Sequence, residues 1–109
     1  MKVYLSGPMH GYVLCNYPLF MATAMEIRQL GNDVYNPAEY EWDHVGKFPK
    51  REAFAVYTNY ICEHADALVM LPRWRLSVGA VAEWGLARAI GIPAIEWPDQ
   101  AAVLQVTGL

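Results

Sequence analysis

Glu83 closes the run Ser77-Val78-Gly79-Ala80-Val81-Ala82-Glu83, whose other members are all small or apolar. On a helix begun at Ser77, Glu83 falls in line with Gly79, Ala80, Leu86, Ala87 and Ile90. A stripe of that kind packs against a sheet, so the carboxylate is expected to leave water with it. Burying a carboxylate is costly and raises its pKa, and groups treated this way are often catalytic. A capping-box glutamate would stand at Ala80, so Glu83 is not a cap. If the helix were rotated, Glu83 would be an ordinary solvated charge. Ser77 suits the N-cap, and the N–H groups of the turn behind it offer a seat for a small anion.

A second segment, Ser6-Gly7-Pro8-Met9-His10-Gly11, stands between a strand-like and a helix-like stretch, as phosphate-binding turns do. It is neither GxGxxG nor a P-loop, because the Lys-Ser/Thr pair is missing. Its glycines would let backbone N–H groups approach a ligand, and they equally suit a plain chain reversal. Tyr4 precedes it on the strand. Trp42 and Trp74 fall in connections near the same end, where a ring either stacks on a base or shields the core edge. Asp66 stands before a strand at the opposite end and reads as structural, and His44 and His64 read as surface groups. No His, Cys or carboxylate spacing suits a metal, no Ser-His-Asp arrangement is legible, and no cofactor is implied.

These residues need elements to position them, and the chain alternates strand and helix signals. Lys2 to Ser6 is an apolar strand ended by Gly7-Pro8. Asn16 suits an N-cap and Pro18 a first turn; Phe20, Ala24 and Ile27 give helical spacing up to Gly31. Asp33 to Tyr35 is a short strand closed by Asn36-Pro37. Ala38 to Pro49 shows no period and is expected to form a long loop over the sheet. Phe54, Tyr57, Ile61 and Ala65 mark a second helix. Ala67 to Leu71 is a strand covered on both faces. A third helix runs from Ser77 to Ile90 with Gly91 as its stop, Ile92 to Glu96 is the last strand, and Asp99 begins a final helix through Val106. The pattern predicts one α/β domain over residues 1–109, a Rossmann-like three-layer sandwich with a parallel sheet of four to five strands, a fifth being missing or lying in the last ten residues. Ligands of such sheets bind beyond the carboxyl ends of the strands, which selects Gly7 to Gly11, Asn36 onward and Pro72 to Gly79.

The bulk properties narrow the partners. The chain has 109 residues, a net charge of −3, seven Tyr and four Trp. No basic cluster exceeds Lys50-Arg51, so duplex nucleic acid is not an expected partner. No apolar run is long enough for a membrane span, and the start resembles a strand, not a signal sequence. Cys15 and Cys62 stand far apart and read as free thiols. A cytoplasmic, non-membrane protein is expected. The aromatic excess and the short sheet point to a homodimer or higher homo-oligomer, with Tyr57, Tyr60 and Trp84 as candidate anchors on the second and third helices.

Together these residues resemble the nucleoside 2-deoxyribosyltransferase-like superfamily. The likeness is to its short, often phage- or bacterium-borne members and to the deoxynucleoside 5′-monophosphate N-glycosidases. It is carried by Tyr4-Leu5-Ser6-Gly7-Pro8-Met9, Asn16-Tyr17-Pro18, Asn36-Pro37-Ala38-Glu39, Ser77-Val78-Gly79-Ala80 with Glu83, Gly85 and Ala87, and Gly91-Ile92-Pro93. The resemblance implies a small-molecule nucleotide or nucleoside as ligand and scission or transfer of its N-glycosidic bond, with hydrolysis preferred. It implies that Glu83 attacks the anomeric carbon or directs water to it, and that Tyr4 orients Glu83. It places Ser77 and Gly79 at a 5′-phosphate and Gly7, Met9 and Gly11 around sugar and phosphate; Pro8, Asn36 and Trp74, which lie beyond the carboxyl ends of the strands, are further candidate ligand contacts. Two positions depart from the pattern: His10 stands where the hydrolases carry Arg, and Thr58 stands where relatives carry an Asp beside the leaving base. The second departure leaves open a non-catalytic nucleotide-binding protein, a sensor or sequestering module, on the same fold.

Overall fold

The computed structural model of the chain describes residues 1–44, 50–102 and 104. Four strands, β1 (Lys2–Ser6), β2 (Asp33–Tyr35), β3 (Ala67–Met70) and β4 (Ala94–Glu96), form one sheet in the order β2-β1-β3-β4. Every pairing is parallel, with Tyr4 opposite both Tyr35 and Leu68, and Met70 opposite Glu96. Among the described residues, four α-helices accompany them: α1 (Tyr17–Gln29), α2 (Pro37–Asp43), α3 (Lys50–Glu63) and α4 (Val78–Ile90). The fold is the expected α/β sandwich of Rossmann-like type.

The strand order dictates the layers. From β1 the chain steps to one edge, then returns past β1 to β3 and β4. Right-handed crossovers therefore put α1 on one face and α3 with α4 on the other. The period of two in β1 divides its side chains accordingly. Val3 and Leu5 join Phe20, Ala24 and Ile27 of α1 in one buried cluster. Tyr4 joins Ala53, Tyr57 and Ile61 of α3 and Ala80 and Ala87 of α4 in the other. The β3 strand does the same, with Ala67 and Val69 on the first side and Leu68 and Met70 on the second. Since the chain leaves β1 and β3 in opposite directions, a crevice opens between their carboxyl ends.

Several local expectations are corrected. Pro37 to Asp43 is a helix, not loop: Pro37 takes a first-turn position and the Asn36 side chain accepts a hydrogen bond from the Ala38 N–H. Its buried face is Pro37, Ala38 and Glu41, which gives no apolar stripe to read. The rest of the expected loop, residues 45–49, lies outside the described residues. Asn16 does stand at the N-cap position of α1, but with a left-handed φ of 59° and without a capping bond from its side chain, whose amide donates instead to the Pro8 carbonyl at 2.9 Å. The inward face of α3 is Ala53, Tyr57 and Ile61, with Phe54 turned partly outward. On α4, Ala80, Glu83 and Ala87 are buried, while Gly79 and Ile90 are exposed. Residues 97–101 are turns where the final helix was expected to begin, and its remainder, like the last positions proposed for a fifth strand, falls mostly outside the described residues. Asp66 does close the base of the sheet, accepting from the Lys2 N–H at 2.8 Å.

The aromatic excess goes largely into the α3–α4 side. Tyr4 stacks on Tyr35 at 5.6 Å, and the Tyr35 and Tyr60 rings lie 4.7 Å apart. Of the three expected interface anchors, Tyr57 is buried, while Tyr60 and Trp84 are half-buried against Tyr35 and Trp74. Among the described residues, no helix is long and apolar enough to cross a membrane.

Where β1 ends, the backbone passes very close to β3. Leu71 N–H donates to the Ser6 carbonyl at 2.8 Å, and a Cβ on Gly7 would lie 2.8 Å from Leu71 Cβ. Gly7 is required here for close approach. Gly7→Ala is expected to destabilise the protein by about 1–3 kcal/mol, as overpacking does, read from the urea midpoint at unchanged slope. An unshifted midpoint would show that the loop absorbs the methyl group without strain.

Candidate active site

The crevice is a cavity of about 640 Å³ at the carboxyl ends of β1 and β3. That is within the size of small-molecule sites. Glu83 lies in its wall and is only 6% exposed. It is held there from β1, on the residues whose side chains face α4. Tyr4 donates its phenol proton to Glu83 Oε2 at 2.6 Å, and Ser6 donates its hydroxyl proton to Oε1 at 2.6 Å. The small residues Ala80 and Ala87, one turn to either side, let α4 approach β1 closely enough for both bonds.

The electrostatics follow from that position. Burial pushes the Glu83 carboxyl up from 4.5 to about 7, the hydrogen bonds from Ser6 and Tyr4 oppose the rise, and the Glu41 charge adds to it. Burial, then the neighbouring Glu83 charge, holds the Tyr4 phenol well above its ordinary value, so Tyr4 stays a donor. No ion pair among the described residues involves Glu83. The carboxylate is thus oriented by two neutral hydroxyls, without a cation to neutralise it.

The rest of the wall comes from four segments. The β1–α1 loop contributes Gly7, Pro8, Met9 and His10. The start of α4 contributes Ser77 and Gly79, with Ser77 Oγ accepting from the Ala80 N–H at 3.2 Å as a true N-cap. The α3 helix contributes Lys50, Arg51, Phe54 and Tyr57, and α2 contributes Glu41. Nine of the residues singled out from sequence therefore converge: Tyr4, Gly7, Pro8, Met9, His10, Ser77, Gly79 and Glu83 meet in the cavity, and Tyr57, expected as an interface anchor, meets them there.

Four others do not. Gly11 makes the loop turn at φ 85° and is outside the lining. Asn36 is buried as the cap of α2, its amide donating to Met21 Sδ. Thr58 points back onto its own helix, its hydroxyl bonding the Phe54 carbonyl at 2.8 Å, one residue and about 100° of helical turn away from Tyr57. Trp74 shields the core edge: it is 5% exposed, lies against Trp84, and donates its indole N–H to Glu96 at 3.0 Å. Trp42 is exposed on α2 and meets the edge of Tyr17 away from the cavity.

Sequence reasoning missed Ser6 as a partner of Glu83, and it missed Glu41 and the Lys50-Arg51 pair as wall residues. Period two in β1 places Ser6 on the face of Tyr4 and was a usable signal. Glu41 had none, because its helix was unreadable. Among the described residues, no three His, Cys, Asp or Glu side chains gather as a metal-holding group.

A family model described as Domain of unknown function (DUF4406) matches residues 1–96, and the chain belongs to that family. The matched span contains all four strands and the whole described cavity lining. No curated protein matches the sequence.

The raised Glu83 carboxyl has a consequence for stability. Between its unfolded value near 4.5 and its folded value of about 7, the native state keeps a proton that the unfolded chain has released. Stability contributed by this group is therefore full below the lower value, falls as pH rises through the interval, and is lost above it, by about 3 kcal/mol in all. Glu83→Gln is expected to melt higher than wild type at pH 8, with the gap closing towards pH 5. Parallel melting temperatures across that range would mean that Glu83 ionises in the fold as freely as in water.

Proposed function

We propose that this member of the DUF4406 family cleaves or transfers the N-glycosidic bond of a nucleotide or deoxynucleoside, hydrolysis being preferred. Glu83 is the nucleophile or water-directing carboxylate, and Tyr4 the group that orients it. The observation that carries this is the buried Glu83 carboxylate at the cavity wall, with each oxygen held at 2.6 Å by a hydroxyl from β1.

Breaking an N-glycosidic bond builds positive charge on the anomeric carbon. A fixed, poorly solvated carboxylate stabilises that charge or captures it as a covalent ester. Tyr4 and Ser6 fix the oxygens before the substrate arrives, so little reorganisation is needed as charge develops. The remaining wall suits the other parts of a nucleotide. Phe54 and Tyr57 offer ring faces to a base. Ser77 and Gly79 at the start of α4, with Lys50 and Arg51 in the same lining, suit a 5′-phosphate. Ser77 Oγ already accepts from Ala80, which leaves its proton to be donated to such a ligand. The likeness to the nucleoside 2-deoxyribosyltransferase-like superfamily at Tyr4, Gly7, Met9, Ser77, Gly79 and Glu83 supports the same assignment. No step in it calls for a metal or cofactor.

A pocket retained only to sense or sequester a nucleotide is the second reading, and Thr58, turned away from the cavity where relatives of the resembled superfamily carry an Asp, favours it. Incubation with a panel of nucleotides and deoxynucleosides, with free base read by chromatography, separates the two. Wild type is expected to release base, faster as pH rises through about 7, where Glu83 ionises. Glu83→Gln is expected to bind the same ligand but to lose several kcal/mol of transition-state stabilisation. A mutant within about tenfold of wild type would remove Glu83 from the chemistry, and tight binding without any base release would leave a binding module.

Homodimerisation belongs to the same proposal. Leu76, Val78 and Val81 are exposed apolar residues around the start of α4, beside the cavity. Self-association that covers them would bury at least about 1,000 Å². Light scattering at micromolar concentration is expected to give twice the chain mass; a strictly monomeric mass would refute it.

A further inference from the structure

We infer that Glu41 is a second catalytic carboxylate of this cavity, giving a proton to the departing base and later taking one from the attacking water. This rests on the glycosidic role proposed for Glu83. Glu41 and Glu83 are the two carboxylates among the described lining residues. Glu41 is 7% exposed, on the buried face of a helix of seven residues. No ion pair among the described residues involves it. A carboxylate buried in this way is costly to keep for packing alone.

The two carboxylates are held in different ways. Glu83 receives two short bonds at 2.6 Å, whereas Glu41 receives two long ones, from Tyr17 at 3.3 Å and Tyr57 at 3.4 Å. Those donors come from α1 and α3, on opposite faces of the sheet, so Glu41 is positioned from both sides. The charged and titratable groups that act on it are His10 from the β1–α1 loop, Tyr17 and Tyr57, and its own charge acts in turn on Glu83. Burial raises the Glu41 carboxyl, with His10 and the two tyrosines opposing the rise. The two carboxylates repel, so the pair gives up its first proton and keeps its second; the two short bonds fix Glu83 as the nucleophile, and the two long ones leave Glu41 the freer to hold that proton.

The sequence balances. A Glu83 oxygen bonds to the anomeric carbon as the carbon–nitrogen bond breaks, the bonding pair passing to the base nitrogen. The base takes the proton of the Glu41 carboxyl. Water then attacks the anomeric carbon, its proton goes to the Glu41 carboxylate, and the bond to Glu83 breaks with its electron pair returning to the glutamate. Free base and sugar result, and both glutamates are restored.

The test compares a deoxynucleoside 5′-monophosphate with the 4-nitrophenyl 2-deoxyriboside 5-phosphate, whose 4-nitrophenolate leaves without a proton. Glu41→Gln, checked for folding by its melting curve, is expected to release base at least about 100-fold more slowly than wild type, the scale of general acid catalysis. Its first turnover of 4-nitrophenol is expected to stay within about tenfold of wild type, followed by slow steady turnover that added azide accelerates. In wild type, the alkaline limb of kcat/KM for the nucleotide is expected to disappear with the 4-nitrophenyl substrate, a result that needs no variant. Equal losses on both substrates, or an alkaline limb common to both, would overturn the role of Glu41 alone. Wild-type protein that releases neither base nor 4-nitrophenol would overturn the glycosidic role of Glu83 and this assignment with it.

Discussion

The contact between β1 and α4 through Glu83 sets the terms for the rest of the site. A carboxylate at that depth requires donors on both oxygens, and Tyr4 and Ser6 provide them from alternate positions of one strand. Those positions can serve only if α4 lies nearly on the sheet, which Ala80 and Ala87 allow. The bonds join residues 79 and 77 positions apart in the chain. They therefore depend on the sheet order and on the crossover that carries α4 to this face.

That arrangement costs stability. A glutamate pushed up to about 7 is one the fold holds reluctantly in its charged form near neutral pH. A well-packed neutral residue would be favoured there on structural grounds. Sites that oppose stability in this way are where function is commonly found. The surrounding Tyr4, Tyr35, Tyr57 and Tyr60 cluster offsets part of the cost, since its rings bury large areas while the hydroxyls of Tyr4 and Tyr57 bond Glu83 and Glu41.

Glu41 shows how a second polar group enters the same cavity from a different element. The α2 helix is short and its inward residues are a proline, an alanine and the glutamate itself. It is set by the Asn36 cap at the end of β2 and by hydroxyls from α1 and α3, more than by apolar burial of its own. The cavity thereby holds one carboxylate bonded tightly to the sheet and one bonded loosely between helices.

The sequence by itself determined the alternation of strands and helices, the parallel sheet, the caps at Ser77 and Gly91, and the burial of Glu83. Each of these is a local pattern: apolar periodicity, N-cap chemistry, or a charge out of place on a small-residue stripe. It also pointed to the loop from Gly7 to His10, because the carboxyl ends of parallel strands follow from the fold class. It did not reveal α2, whose inward face lacks an apolar period, nor the capping role of Asn36 there. Nor could it separate Tyr57 from Thr58, neighbours that helical rotation sends to different surroundings, or assign Trp74 to the core edge and not the cavity mouth. Those outcomes were decided by tertiary structure alone. They depend on which faces of α2, α3 and α4 the sheet order leaves free to meet, and on distances between residues that no local spacing encodes.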